Sequence, residues 1–454
     1  MNESKIIKIG TLITKIFLVG LLIQFFVQTF VTYQLHGTGT LWNLVWMWKE
    51  IIILAIAGFL IWFLSKRNIR EARRKTTPIK QFVLRFGITL LVMLFVSIVI
   101  TQSGVGITVM SLRYSMMGFF IFIIFFAFAY LFFGTREINI VKRYTRIIKA
   151  LLVGSLVRWG ILWLIPNLLG HFGYNQFNYE GDIGIAPPAV YYTQYDSGFV
   201  RNQFLFERPI SRGFFLVAFW PLFFLLCMKK KSRSDKAIRG GLYGLAMLST
   251  FSRAAWIAWA IEIVILVLLQ MNRKHWKVAL YSFLPLLLLF AGVTYVGRDQ
   301  IINRSFSNNG HLSMIVSAAQ KVIQKPFFGR GAGFAGPASH YLPAGEAYNP
   351  ENQYLQIWLE YGVFGFAGRM YLYLWLHLIG RNAYKLEQHT EKHKLLKKAR
   401  LYGILIFGLS LGLFGLTIEG FVLHSFVDRM IVYPFMAVFG LTYALYLKSL
   451  TNKH

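Results

Sequence analysis

Apolar stretches of about twenty residues alternate along this chain with short segments rich in Lys and Arg. Twelve such stretches fall near 9–33, 41–64, 81–101, 108–134, 147–169, 213–228, 240–252, 254–271, 278–297, 353–380, 401–420 and 430–448. A helix rising 1.5 Å per residue needs about 20 residues to cross the roughly 30 Å apolar core of a bilayer. The pattern therefore predicts an all-α, polytopic integral membrane protein of about twelve transmembrane helices. The segment 240–252 is short for a span. Fusing it with 254–271 into one long helix would invert every later loop and export the basic segment 381–400, so the pair is read as two helices.

One interruption stands out in this pattern, from Arg298 to Gly365, where polar and glycine-rich sequence replaces apolar sequence. Within it Leu312, Ile315, Val316, Ala319, Val322 and Ile323 recur at helical spacing, with Asn308-Asn309-Gly310 as start signals and Pro326 as the stop. This predicts an amphipathic helix that lies on the membrane or caps a cavity. Gly329, Gly331, Gly333 and Gly336 follow as a turning loop. No strand precedes them, so they are not a dinucleotide fingerprint. The chain then divides into a five-span bundle (1–169), a first large outer loop (170–212), central spans (213–297), the second large outer loop (298–352), and three last spans with a tail (353–454).

Composition and charge fit the membrane reading. Hydrophobic residues make up 56% of the chain and mean hydropathy is positive, which excludes an ordinary soluble domain. A net charge of +30 raises nucleic acid as a partner, but the basic residues cluster in SKRNIREARRKTTPIK, TREINIVKRYTR, MKKKSRSDKAIR and RNAYKLEQHTEKHKLLKKAR, all on one side under strict alternation. The tight turns HGTGT and QSGVGI on the other side carry no Lys or Arg. The positive-inside rule then places both termini in the cytoplasm, the expected location being the plasma membrane, and no nucleic acid is called for. Lys5 and Lys8 before an apolar run with no cleavage site predict an uncleaved first span. The single cysteine, Cys227, rules out an intrachain disulfide and offers no metal cluster.

Candidate chemistry gathers on the outer face. The loop 170–212 is rich in Tyr, Phe, Asn and Gln, which suit either a sugar-binding surface or an interfacial belt. Arg201, Arg208, Arg212, Arg253, Arg298, Arg304, Arg330 and Arg429 all fall on the face otherwise kept poor in basic residues. Arginines there suit an anionic group such as a pyrophosphate, with headgroup snorkelling as the alternative for Arg253 at the Ser252-Arg253 tip. Ionisable residues also fall inside the spans: adjacent Lys49 and Glu50, then Arg113, Arg158 and Glu262, the last two a candidate ion pair. Asn352, Gln356 and Glu360 recur every four residues as a polar stripe suited to lining a cleft. His311, His340 and His424 are the outer-face histidines.

These residues carry a resemblance. The Ser-Arg tip, P-F-F-G-R-G-A-G-F at Pro326 to Phe334, Glu351-Asn352, an apolar helix with Gly362-x-x-Gly365, and L-H-S-F-V-D-R-M before the last span together resemble the O-antigen ligase and polysaccharide polymerase superfamily over roughly residues 245–445. The first half of the chain matches only in hydropathy. The resemblance implies an inverting glycosyltransferase on the outer face. Its donor is a glycan on undecaprenyl pyrophosphate, and its acceptor is a sugar hydroxyl on another lipid-linked molecule. Membrane lipid, a flippase and a chain-length partner belong to the same implied setting. A lipid pyrophosphate is already a good leaving group, so cations matter more than a general acid, and neither metal nor cofactor is expected. Ligases of the family place a histidine before the Asn as base. Here Glu351 stands in its place, either as base or as a favourable charge near a helix start. That departure fits a polymerase, with ligase-type transfer to another acceptor as the near alternative. Arg253 and Arg330, then Arg212 and Arg304, are the expected pyrophosphate ligands. Asn352, Gln356 and His311 are the expected contacts to glycan or acceptor. A flippase or transporter is the alternative of another class, but it would be expected to show internal repeats, and none is evident.

Overall fold

In the computed structural model the residues described are 8–21, 47–65, 69–133, 139–165, 209–227, 232–270, 305–342, 348–389 and 397–451, with 192–193, 200–202 and single positions 24, 206 and 295. The chain is predominantly helical. The helices are α1 (8–21), α2 (Trp48–Ser65), α3 (Ile69–Leu94, continued by a π-helical turn Phe95–Ile100), α4 (Val105–Phe132), α5 (Asn139–Leu164), α6 (Pro209–Cys227), α7 (Arg233–Leu248), α8 (Arg253–Gln270), α9 (Ser305–Gln324), α10 (Gln353–His389), α11 (Lys397–Glu419) and α12 (Arg429–Thr451). A 3₁₀ segment, Gly336–Tyr341, lies between α9 and α10. Two two-residue strands, Tyr192–Thr193 and Val200–Arg201, pair antiparallel with Tyr192 opposite Arg201.

Five helical stretches among the described residues are long and apolar enough to cross a membrane: Trp48–Ser65, Thr77–Ile100, Val105–Phe132, Leu401–Glu419 and Arg429–Leu450. The ninth predicted span, 278–297, lies outside the described residues. The helices α7 and α8 are separate, joined by the tight tip 249–252 with Phe251 at φ 49°. Ser232 caps α7 by accepting the Asp235 N–H at 3.2 Å, the side chain supplying one of the acceptors a helix start lacks.

The core forms around α4 and α12. Between Leu112 and Phe133, α4 buries apolar residues on every face, as expected of a helix enclosed on all sides. It packs along α12, where Val432 and Met436 lie where a Cβ at Gly118 would stand. Aromatic pairs tie α4 to neighbours, among them Phe122 with Phe439 and Phe82 with Phe126. α11 packs against α10 and α6, and α8 against α6 and α11.

Charged groups inside the bundle include Glu262 of the candidate Arg158–Glu262 pair and a buried arginine. The Arg158 side chain lies outside what is described. Glu262 on α8 is fully buried, faces α11 where a Cβ at Gly415 would meet it, and has Glu419 of α11 as its charged neighbour. Arg369, which the sequence reading did not single out, is buried in α10. Its Nε donates to Tyr373 Oη at 3.0 Å, and its guanidinium carbon lies 4.6 Å from the Phe119 ring centre. The ring faces and hydroxyl compensate a cation far from water.

A candidate active site at the loop-bearing end

The tip 101–104, the stretches 326–342 and 348–352 and the turns 420–428 meet at one end of the bundle. What builds this end is an interruption in α10. Gly362 has φ 64° and ψ −167°, outside the helical region, so the helix kinks there. The kink frees backbone groups, and the glycine loop takes them up. Arg330 N donates to Leu359 O at 2.7 Å, Gly331 N to Glu360 O at 3.1 Å, and Val363 N to Pro326 O at 2.9 Å. The approach is close enough that a Cβ at Gly329 would lie 2.6 Å from Leu359 O. Glycine at φ 71° is what that contact requires. The Glu360 carboxylate, wholly buried, completes the joint by accepting from Gly333 N at 2.7 Å and from Ser111 Oγ of α4 at 2.9 Å. Buried polar groups need such partners, and here they fasten loop, kink and α4 together.

This changes the reading of the polar stripe. Gln356 and Glu360 face the glycine loop, whereas Asn352 turns to the loop after α11. Asn352 Oδ1 accepts the Tyr354 and Leu355 N–H groups at 3.0 and 2.9 Å, capping α10, while its Nδ2 donates to Phe421 O at 2.7 Å. Gln356 is buried and reaches Glu360 Oε2 at 3.4 Å. The nearby Gln353, absent from the sequence reading, ties α10 to the last loop: its Oε1 accepts from Phe426 N at 3.0 Å.

Glu351 stands just before that cap at φ 48°, a conformation unusual outside glycine. Its Oε2 meets Nδ1 of His311, and both side chains are about a quarter exposed. His311 gets there because the face of α9 turned inward carries His311, Ile315, Ala318 and Val322, in steps of three and four. Ala318 and Val322 pack with Ala335 and Leu359. The helix begins at Ser305, so Asn308–Gly310, read as start signals, lie inside it. Leu312, Val316 and Ile323, expected on the same apolar face, are exposed. Tyr348 ties α9 down further: its hydroxyl donates to Met314 O at 3.1 Å, and Lys321 Nζ lies 4.0 Å from its ring centre.

A second imidazole faces the same carboxylate. Burial holds His424, in the turn after α11, down to about 4, while the charge of Glu351 pulls the other way. His424 Nε2 is buried with no hydrogen-bond partner among the described residues. Sequence reasoning recorded His424 as an ordinary outer-face histidine. Its approach to Glu351 spans 73 positions of sequence, so no local signal could show it.

The arginines divide. Arg330 donates through Nη2 to Gln324 Oε1 and lies 5.2 Å from the Phe334 ring centre, and its Nε has no hydrogen-bond partner among the described residues. Arg253 opens α8 at the 249–252 tip and is half-buried. Arg212 is buried, with Nη1 donating to Asn202 O and Ser249 Oγ at 3.0 and 2.8 Å and Nη2 to Ser155 Oγ at 2.9 Å. It braces α5, α6 and α7 from within. Arg304 lies outside the described residues. His340 closes the 3₁₀ segment and is exposed.

This end of the helical bundle thus carries the Glu351 carboxylate against the His311 imidazole, with His424 within reach of its charge, and the Arg330 guanidinium on the glycine loop. Residues 241–369 match the family model described as O-antigen ligase, which supports placing the chain in the O-antigen ligase and polymerase superfamily and suggests glycosyltransferase-type transfer of lipid-linked glycan. The match runs from within α7 through α8, α9, the glycine loop and the kink to Arg369. No curated protein matches the chain.

Proposed function

We propose that this protein polymerises undecaprenyl-pyrophosphate-linked oligosaccharide repeat units of a surface polysaccharide on the outer face of the plasma membrane. The observation that carries this reading is the grouping of Glu351 with His311 and His424 beside the glycine loop, inside or next to the segment matched by the family. In this reading the chain has twelve spans with both termini cytoplasmic. The acceptor hydroxyl gives its proton to the Glu351 carboxylate and its oxygen bonds to the anomeric carbon, while the bond from that carbon to the phosphate oxygen breaks and the lipid pyrophosphate departs. Arg253 and Arg330 hold the departing charge, with Arg304 as a further ligand. His311 orients the carboxylate. Asn352, Gln356 and Arg212 shape the site through the contacts they already make. The family match fits a second reading equally, ligase-type transfer to a different acceptor.

The test is reconstitution of the purified protein in lipid with a labelled undecaprenyl-pyrophosphate repeat unit, products being resolved by size. A ladder of longer lipid-attached glycans is expected. Label that moves only when a foreign acceptor is added would replace polymerase with ligase. Label that changes sides of the membrane with no new bond would overturn both in favour of a transporter.

A further inference from the structure

Away from Arg253 and Arg330, a second group of cations converges at the same end of the bundle, from helices outside the matched segment. Lys49 and Glu50 open α2, Arg113 lies two turns into α4, and Arg429 is the first residue of α12. Lys49 is 1% exposed and its Nζ lies 3.6 Å from Glu50 Oε2. Arg113 Nη2 donates to the other oxygen, Oε1, at 2.5 Å. Arg429 Nη2 donates to Tyr114 Oη at 2.9 Å and its guanidinium carbon lies 4.9 Å from that ring centre. The charged neighbours of Lys49 are Glu50, Arg113 and Arg429, so the three cations act on one another beside the Glu50 carboxylate. Tyr433 of α12 is 3% exposed, faces Arg429, Glu50, Arg113 and Tyr114, and its hydroxyl has no partner among the described residues. A buried hydroxyl without a partner costs free energy, and so does drawing like charges together out of water. Both costs fall if an anion occupies the group.

We infer that Lys49, Arg113 and Arg429, with Tyr433, form a second anion site that takes a phosphate or diphosphate group carried by a lipid. This rests on the proposed function. A transfer between two lipid-linked molecules has two diphosphates to hold, one leaving and one staying with the acceptor, and this group is the one assigned to the acceptor. α12 packs against both α4 and α6, the helix that bears Arg212. Guanidinium groups supply planar paired donors and Lys49 a point charge, a combination suited to phosphate oxygens. Tyr114 links the group to the glycine loop side, where the 3₁₀ segment carrying Tyr341 packs against α4.

Calorimetric titration of the protein in phosphatidylcholine nanodiscs with farnesyl diphosphate tests this without requiring turnover. Wild type is expected to bind two molecules per chain. Arg429→Gln should lose one of the two sites or weaken it by about tenfold or more, and Arg429→Lys should weaken it less. Glu50→Gln should act in the opposite direction, tightening the same site, because it removes the counter-charge; a merely structural cluster would weaken in both variants. Inorganic pyrophosphate should compete more weakly than farnesyl diphosphate if the anion arrives on a lipid. One site in wild type, or two sites indifferent to Arg429→Gln, overturns the inference. So does equal competition by phosphatidylglycerol, which would make the group an ordinary headgroup contact. A protein that binds two diphosphates yet forms no glycan product would sink the transferase reading while leaving this site standing.

Discussion

Glu351 holds a backbone conformation that costs a non-glycine residue about 1–2 kcal/mol, and it does so where a carboxylate meets His311 and faces His424. Strain concentrated at a group of titratable side chains is what a positioned base would show. Glu351→Gln keeps the shape and removes the basicity, so turnover should fall by about a hundredfold or more while donor binding and unfolding temperature stay near wild type; unchanged turnover would remove Glu351 from the mechanism. His424 gives a separate, pH-dependent expectation. Its folded value, about 4, lies below the ordinary 6.5, so between these limits the unfolded chain binds more protons. Stability should therefore fall as pH drops from 6.5 towards 4 and should not depend on this group above that window. Comparing unfolding midpoints at pH 7 and pH 5, wild type should lose more than His424→Gln. Equal losses would show that the imidazole is not held neutral by burial. The sequence displayed both residues, but the charge that connects them depends on a contact between distant loops.

At the scale of elements, the sequence showed the parts of the joint at α10 without showing what they do. Pro326 to Phe334 and Gly362-x-x-Gly365 were visible as motifs, and 353–380 read as one uninterrupted span. The kink escaped because hydropathy is blind to a single residue leaving the helical region, and the groups that compensate it lie about thirty positions upstream. The amphipathic helix was legible for a simpler reason, since spacing alone gives it. Its inward face was harder to choose: Leu312, Val316 and Ile323 are as apolar as Ile315 and Val322 yet point away from the glycine loop. An exposed apolar strip on a helix near a membrane surface needs no protein partner to explain it. The joint makes a sharp prediction. A Cβ at Gly362 would collide with the Phe327 carbonyl, and the φ of 64° with extended ψ belongs almost wholly to glycine. Gly362→Ala should cost about 1–3 kcal/mol and lower the unfolding temperature. Gly87→Ala in α3 and Gly58→Ala in α2, where a Cβ meets nothing within 4 Å, should be neutral or mildly stabilising. Equal effects at all three positions would mean that the joint contributes nothing to stability.

For the whole molecule, two sequence signals bear on different questions. Apolar run length bears on which helices form, and the described helices of the last third, α11 and α12, follow the predicted spans within a few residues at most boundaries. It could not show that α4 and α12 are the centre of the bundle, because a run of Phe and Ile reads the same facing lipid or facing protein. Basic residues bear on which way each helix points. That orientation decides whether Glu351, the glycine loop and both cation groups face the outside, where a lipid-linked glycan would be met. The chain's one cysteine makes the point measurable. In a Cys227→Ser background, Asn349→Cys should react in intact cells with a membrane-impermeant maleimide, whereas Lys394→Cys, in the basic segment 381–400, should react only after the membrane is opened. The reverse pattern would put the carboxylate and its imidazoles on the cytoplasmic face, and the proposed transfer to an externally displayed glycan would fail with it. The loop-to-kink joint would survive that result, since its hydrogen bonds do not depend on which side of the membrane they face.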